Sequence, residues 1–145
     1  LIYGGGRLGL MGILANSVLE NGGQVTGVIT KELHKSEAHL GLSDLHIVET
    51  ILERKKLMAE LSHGFVALPG GLGTLEVIFE IWNAYKLKLH IKPIGLLNTE
   101  NYFNKLIEFI DYSVQQDFLK QQQKDIISIS DTPDVLLNMM RKKLL

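Results

Sequence analysis

Short apolar runs alternate along the chain with longer stretches whose apolar positions recur at helical spacing. Leu1-Ile2-Tyr3 reads as the end of a strand running into Gly4-Gly5-Gly6. A helix follows over residues 10–21, with Gly22-Gly23 as its stop signal. Residues 25–29 are rich in β-branched side chains and predict a strand. Residues 31–44 are polar and read as a loop with one helical turn; a short strand over 45–48 and a helix over 51–61 come next. The second half repeats the alternation. A strand over 64–68 is broken by Pro69-Gly70-Gly71. A helix over 74–87 carries Val77, Ile78, Ile81 and Trp82 on adjoining turns. Pro93 introduces a strand over 94–97, and a helix over 102–115 aligns Phe103, Leu106, Ile110 and Val114 on one stripe. After a polar stretch at 120–124 comes a strand over 126–129. The last helix runs to about residue 143, with Asp131 or Thr132 as N-cap and Pro133 in its first turn.

Repeated strand–helix alternation predicts an α/β fold: a parallel sheet with helices on both faces. Right-handed crossovers make that sheet Rossmann-like and doubly wound. No linker or internal repeat interrupts the 145 residues, so a single domain over 1–145 is expected. The chain opens inside a strand and without methionine, which suggests a missing N-terminal strand–helix unit. Ligands of such folds bind beyond the C-terminal ends of the strands.

Composition narrows the chemistry. A net charge of −1 argues against nucleic acid, which needs a basic face. The absence of cysteine excludes disulfides, thiol catalysis, Fe–S clusters and Cys-ligated zinc. No apolar run is long enough to span a bilayer, and no signal peptide is visible, so no membrane partner is expected and the cytoplasm is the expected compartment.

Two glycine-rich turns follow strands and precede helices. In the first, Gly4, Gly6 and Gly9 fit G-x-G-x-x-G, a pattern in which glycine lets a ligand approach the backbone and a helix N-terminus favours an anion. A dinucleotide fold would place an acid at the end of the second strand. Here Ile29-Thr30-Lys31 occupies that place, which weakens the reading of an oxidoreductase fragment without removing it. The second turn, Pro69-Gly70-Gly71-Leu72-Gly73-Thr74, leaves several backbone N–H groups bare, and Thr74 can cap the helix or donate its hydroxyl to a phosphate. No lysine follows its last glycine, so it is not a Walker loop and ATP hydrolysis is disfavoured. Together the turns suggest a mononucleotide or sugar phosphate, with Arg54-Lys55-Lys56 as basic partners.

Tyr3-Gly4-Gly5-Gly6-Arg7-Leu8-Gly9-Leu10-Met11-Gly12, Gly22-Gly23, Gly27-Val28-Ile29, Glu53-Arg54-Lys55, Met58, Pro69-Gly70-Gly71-Leu72-Gly73-Thr74 and Lys92-Pro93-Ile94-Gly95-Leu96-Leu97-Asn98, in this order, closely resemble the LOG ("Lonely guy") family. The family also carries the older label "lysine decarboxylase-like". The resemblance implies a Rossmann-like fold, a homodimer, and hydrolysis of the N-glycosidic bond of AMP or a cytokinin riboside 5′-monophosphate, with no cofactor and no metal. It assigns Gly4, Gly5, Gly6, Arg54, Lys55, Pro69, Gly70, Gly71, Gly73 and Thr74 to nucleotide and phosphate binding, and Arg54 to catalysis beside a carboxylate. The family's P-G-G-x-G-T-x-x-E motif puts that carboxylate at position 77, which is Val77 here, so Glu80 and Glu76 become the candidate catalytic acids. The family's M-H-x-R-K lead-in reads Ile51-Leu52-Glu53-Arg54-Lys55 and lacks the histidine. If neither acid has taken over, the alternative is a protein that binds nucleotide without turning it over.

The remaining signals carry less. His34-Lys35 faintly echoes a pyridoxal-binding lysine, but the chain is too short for the usual decarboxylase fold. His34, His39 and His46 match no ligand spacing. Phe79, Trp82 and Tyr85 are expected in a core or a helix–helix contact. The apolar girth of the helix carrying them suggests a dimer through the helices of Arg54 and Trp82.

Overall fold

The computed structural model describes residues 1–144. They form two compact units, Leu1–Ser62 and His63–Leu145, each built on a three-stranded sheet whose strands all pair in parallel. The architecture is α/β and Rossmann-like, as the alternation of apolar patterns predicts.

In the first unit, β1 (Ile2–Tyr3), α1 (Gly9–Glu20), β2 (Thr26–Thr30), α2 (Lys31–Glu37), β3 (Asp44–Val48) and α3 (Ile51–Leu61) follow one another, and the strands lie in chain order. The register matches Tyr3 with Gly27 and Gly27 with Leu45. Tyr3, Ala15 and Val25 make a small core, with Val18, Leu19 and Leu42 packed against it. Helix α1 stops where Gly22-Gly23 predicts. Gly22 takes a left-handed φ of 75°, and the Gly23 N–H donates to Val18 O at 2.8 Å, so carbonyls left open by the helix end are satisfied. The region expected to hold one helical turn forms all of α2. The Thr30 hydroxyl accepts the Leu33 N–H and starts the helix directly at the end of β2.

The second unit runs β4 (Phe65–Ala67), α4 (Leu72–Lys86), β5 (Ile94–Leu97), a 3₁₀ turn (Thr99–Asn101), α5 (Asn104–Gln115), α6 (Gln121–Lys124), β6 (Ile127–Ser130) and α7 (Pro133–Lys142). Central strand β5 is buried along its whole length, as a strand covered on both faces must be. Ile94 and Leu96 point into a core with Ile78 and Trp82 of α4 and Ile110 of α5. Alternate residues face the other way: Leu97 packs with Leu136 and Met140 of α7, and a Cβ on Gly95 would stand 2.7 Å from Met140 Sδ. This sheet therefore carries helices on both faces.

Most element ends fall within one residue of the sequence reading, the polar stretch at 120–124 holds the short helix α6, and two helix starts differ by two residues. Helix α4 begins at Leu72, because Gly71 rather than Thr74 is its N-cap. The helix expected from residue 102 starts at Asn104, after a turn in which Glu100 and Asn101 have φ of 53° and 59°. Thr132 is the N-cap of α7, but its side chain makes no cap bond; its own N–H instead donates to Ser130 Oγ at 3.2 Å.

Candidate functional site

Arg54 is positioned by the start of its helix. Thr50 and Glu53 form a reciprocal capping box on α3: Thr50 Oγ1 accepts the Glu53 N–H, and Glu53 Oε2 accepts the Thr50 N–H. The T-x-x-E signal stands in the sequence and fixes where α3 begins, and thus the face on which Arg54 emerges. The half-buried guanidinium spans two neighbouring strands. Its Nε donates to Val28 O at 2.8 Å and its Nη2 to Gly4 O at 2.6 Å. Gly4 and Val28 stand one rung beyond the Tyr3–Gly27 pair, so Arg54 ties the C-terminal end of β1 to the middle of β2. These bonds use two of the five guanidinium N–H groups. Burial pushes the Arg54 pKa down and nearby Glu37 pulls it back, and the group stays a cation at neutral pH.

Gly4, Gly5 and Gly6 are buried, and their carbonyls are all engaged within the unit. Gly4 O takes Arg54, Gly5 O accepts the His39 N–H at 2.9 Å, and Gly6 O accepts the Tyr3 hydroxyl at 3.0 Å. A Cβ on Gly4 would run into Arg54 Nη2, and Gly5 has a φ of 73°. These glycines thus have packing and conformational reasons of their own.

The turn from Pro69 to Thr74 is built differently. Gly71 and Gly73 are exposed, neither has a positive φ, and a Cβ built on either meets nothing within 4 Å. Neither backbone strain nor packing explains glycine there; what it does is leave the main chain bare. No side chain caps α4 among the described residues, and the Leu75 N–H is bonded back to Gly71 O at 3.1 Å. The N–H groups of Leu72, Gly73 and Thr74 fall among the four that an α-helix leaves without an intrahelical partner. Thr74 lies within the first turn, its hydroxyl over Gly70 where a Cβ would collide with it. An uncapped helix start with bare glycine backbone suits an anion. One further residue joins this turn: the Tyr102 hydroxyl donates to Gly70 O at 2.8 Å. Sequence spacing gave no signal for it, since the bond closes a loop of 32 residues.

Farther along α4, Ile78 and Trp82 are buried, Val77 is half-buried, and Glu76 and Glu80 are exposed. At about 100° per residue, Glu80 projects between the directions of Glu76 and Val77, one turn on. Lys55 on α3 is half-buried.

The other sequence signals have local roles. His39 Nε2 pairs with Asn16 Oδ1 at 2.8 Å, and its Nδ1 accepts the Gly41 N–H at 3.2 Å. His46 lies beside Asp44 at 3.1 Å. No group of three or more metal-ligating side chains occurs among the described residues. Trp82 is a core residue whose Nε1 donates to Gln123 O at 2.8 Å. Phe79, stacked beside it at 5.8 Å, is exposed. No helix among the described residues is long and apolar enough to cross a membrane.

Residues 11–140 match the sequence model of a family described as possible lysine decarboxylase. Among characterised proteins, the chain is 46% identical over 121 residues to the cytokinin riboside 5′-monophosphate phosphoribohydrolase of Rhodococcoides fascians, covering 82% of this chain and 61% of the relative. It is 42% identical over 128 residues to the cytokinin riboside 5′-monophosphate phosphoribohydrolase LOG1 of Arabidopsis thaliana, covering 88% and 60%. The chain thus spans about three fifths of the length of these relatives.

Proposed function

Since the chain belongs to the LOG family, whose sequence model bears the description possible lysine decarboxylase, we propose that it hydrolyses the N-glycosidic bond of a purine or cytokinin nucleoside 5′-monophosphate. Water adds to C1′ of the ribose, the C1′–N bond breaks, the base leaves with a proton, and ribose 5-phosphate remains. The observation that carries the reading is the bare glycine backbone at the start of α4, with Gly71 and Gly73 opening on free space. The 5′-phosphate sits on Gly70, Gly71, Gly73 and Thr74, held by backbone N–H groups and the Thr74 hydroxyl. Arg54 keeps N–H groups beyond the two that tie the strands, and its task is to bind the nucleotide and balance charge as the bond breaks. Lys55 and the Gly4–Gly6 turn assist binding. A carboxylate steadies the oxocarbenium-like sugar and orients the water, as in other glycoside hydrolysis; Glu80 is the first candidate, because it lies close in direction to position 77, and Glu76 the second. Incubation with AMP and with a cytokinin riboside monophosphate is expected to release free base, and no base from either overturns the reading.

The cradle itself is tested by Gly71→Val. The added side chain meets nothing within 4 Å and Gly71 has a φ of −91°, so thermal stability is expected to hold. AMP affinity is expected to fall at least about tenfold, since the isopropyl group covers the bare backbone and ~1.4 kcal/mol is enough for that factor. Unchanged affinity removes the phosphate from this turn.

The working form is a homodimer through α3 and α4. No residue of α3 is buried; Ile51, Leu52 and Leu61 are exposed on it, and Phe79 is exposed on α4. Apolar side chains on adjoining turns of a helix normally find cover. Light scattering at micromolar concentration is expected to give twice the chain mass, and a monomer refutes the assembly.

A further inference from the structure

The loop after β5 is built to deliver one hydroxyl group. Asn98 directly follows β5, buried, with its polar groups in use: its N–H donates to Ser130 O at 2.8 Å, its Nδ2 to Asn104 Oδ1 at 2.8 Å, and its Oδ1 accepts the Phe103 N–H at 2.7 Å. Phe103 is 2% exposed and locked in the core. Between these anchors, Glu100 and Asn101 both hold left-handed backbone conformations, at φ of 53° and 59°. Non-glycine residues rarely adopt that region, and it persists where the surroundings fix it. Tyr102 follows directly. Its ring packs edge-on to Phe103 at 5.0 Å, and its hydroxyl donates to Gly70 O at 2.8 Å.

The bond falls at a sensitive point. The Gly70–Gly71 peptide has no side chain on either flank, so its plane can rotate with little steric resistance. In a trans peptide the N–H points opposite to the carbonyl. A hydroxyl holding the Gly70 carbonyl on one side therefore directs the Gly71 N–H to the other. Were the plane to flip, a carbonyl oxygen would replace an N–H at the mouth of the α4 N-terminus and repel an anion there.

We propose that Tyr102 is a positioning residue for phosphate recognition: its hydroxyl locks the Gly70–Gly71 peptide in the orientation that presents an N–H, rather than a carbonyl, to the 5′-phosphate. The inference rests on the phosphate reading of the turn. It adds a specificity element, because the effect acts on the phosphate alone. Nucleosides without a phosphate gain nothing from the lock.

Tyr102→Phe tests it on the full chain, with AMP, adenosine and inorganic phosphate as titrated probes. The ring and its packing on Phe103 remain, and the residue is exposed, so the thermal midpoint serves as control for folding. One neutral hydrogen bond predicts a loss of about threefold to tenfold in affinity for AMP and for phosphate, with adenosine affinity unchanged. In turnover the same factor should appear in KM, with kcat preserved. Tyr102→Leu, lacking both ring and hydroxyl, should reproduce the AMP loss, which covers the case of a phenylalanine variant that folds poorly. Equal losses for AMP and adenosine would mean a merely structural role and overturn the proposal. So would unaltered AMP binding in a protein whose wild type binds AMP. If the wild type binds neither AMP nor phosphate, the phosphate reading of the turn has failed first, and this inference with it.

Discussion

Replacing Val77 by glutamate is expected to raise base release from AMP by about 10²–10⁴-fold, the usual contribution of one positioned acid or base. Affinity for AMP should barely change if, as proposed, the glycine turn carries the phosphate. Val77 is half-buried on α4 and stands where the family motif has its glutamate. A valine can neither orient water nor balance positive charge on the sugar. The opposite outcome is equally readable. Glu80 lies one helical turn on, about 60° from the direction of residue 77, and is exposed on the same helix. If Glu80 already does the work, the natural chain is active and Glu80→Gln abolishes base release. Val77→Glu then adds little, or slows the reaction by crowding two like charges. Steady-state rates of both variants decide between the two acids. No change from either substitution removes the carboxylate mechanism from this protein.

The parts of this molecule that were legible in its sequence are those where a local rule and the tertiary structure demand the same residue. Gly22-Gly23 ends α1 as read, because a left-handed residue is needed there and glycine supplies it. The apolar run of β5 is a central strand, because a strand covered on both faces has no polar side to show. The first glycine turn was legible as a turn. What each of its glycines is for was not: Gly4 is dictated by Arg54, 50 residues away, and no spacing rule reaches that far. Thr74 illustrates a second kind of miss. Threonine is a common N-cap, but α4 starts earlier, with Gly71 as an N-cap that offers no side-chain cap bond and Thr74 inside the first turn. The Thr50–Glu53 capping box is a third kind, a signal present in the sequence that only gains meaning once Arg54 is seen to depend on the helix it starts. Tyr102 leaves no pattern at all, since its partner is a main-chain carbonyl of another loop.

Arg54→Ala is expected to cost both stability and activity. The substitution leaves Gly4 O, just past β1, and Val28 O, in the middle of β2, without their Arg54 donors. Bonds from a charged donor contribute about 1.5–3 kcal/mol each, and water reaching a half-buried site recovers part of that, so a loss of roughly 2–4 kcal/mol is expected in denaturant melts. Base release should drop by about 10²–10³-fold, the scale of one lost electrostatic partner. Arg54→Lys keeps the charge but not the planar fork, and an ammonium group cannot hold both carbonyls in the same geometry; it should recover less than half of either loss. Gly4→Ala probes the same contact from the other side. Its φ is not positive, so the new methyl group is resisted mainly by Arg54 Nη2, with flexible Met11 Cε 2.9 Å from the same point. In the wild-type background Gly4→Ala should therefore destabilise the protein and slow base release by displacing the guanidinium. In the Arg54→Ala background it should cost little, because the atom it collides with is gone. The two substitutions form a double-mutant cycle whose coupling, about 1–3 kcal/mol for residues in direct contact, measures the strut. Strictly additive losses would mean that glycine at position 4 answers to something other than Arg54, and that the tie between β1 and β2 does not set the position of the Arg54 guanidinium.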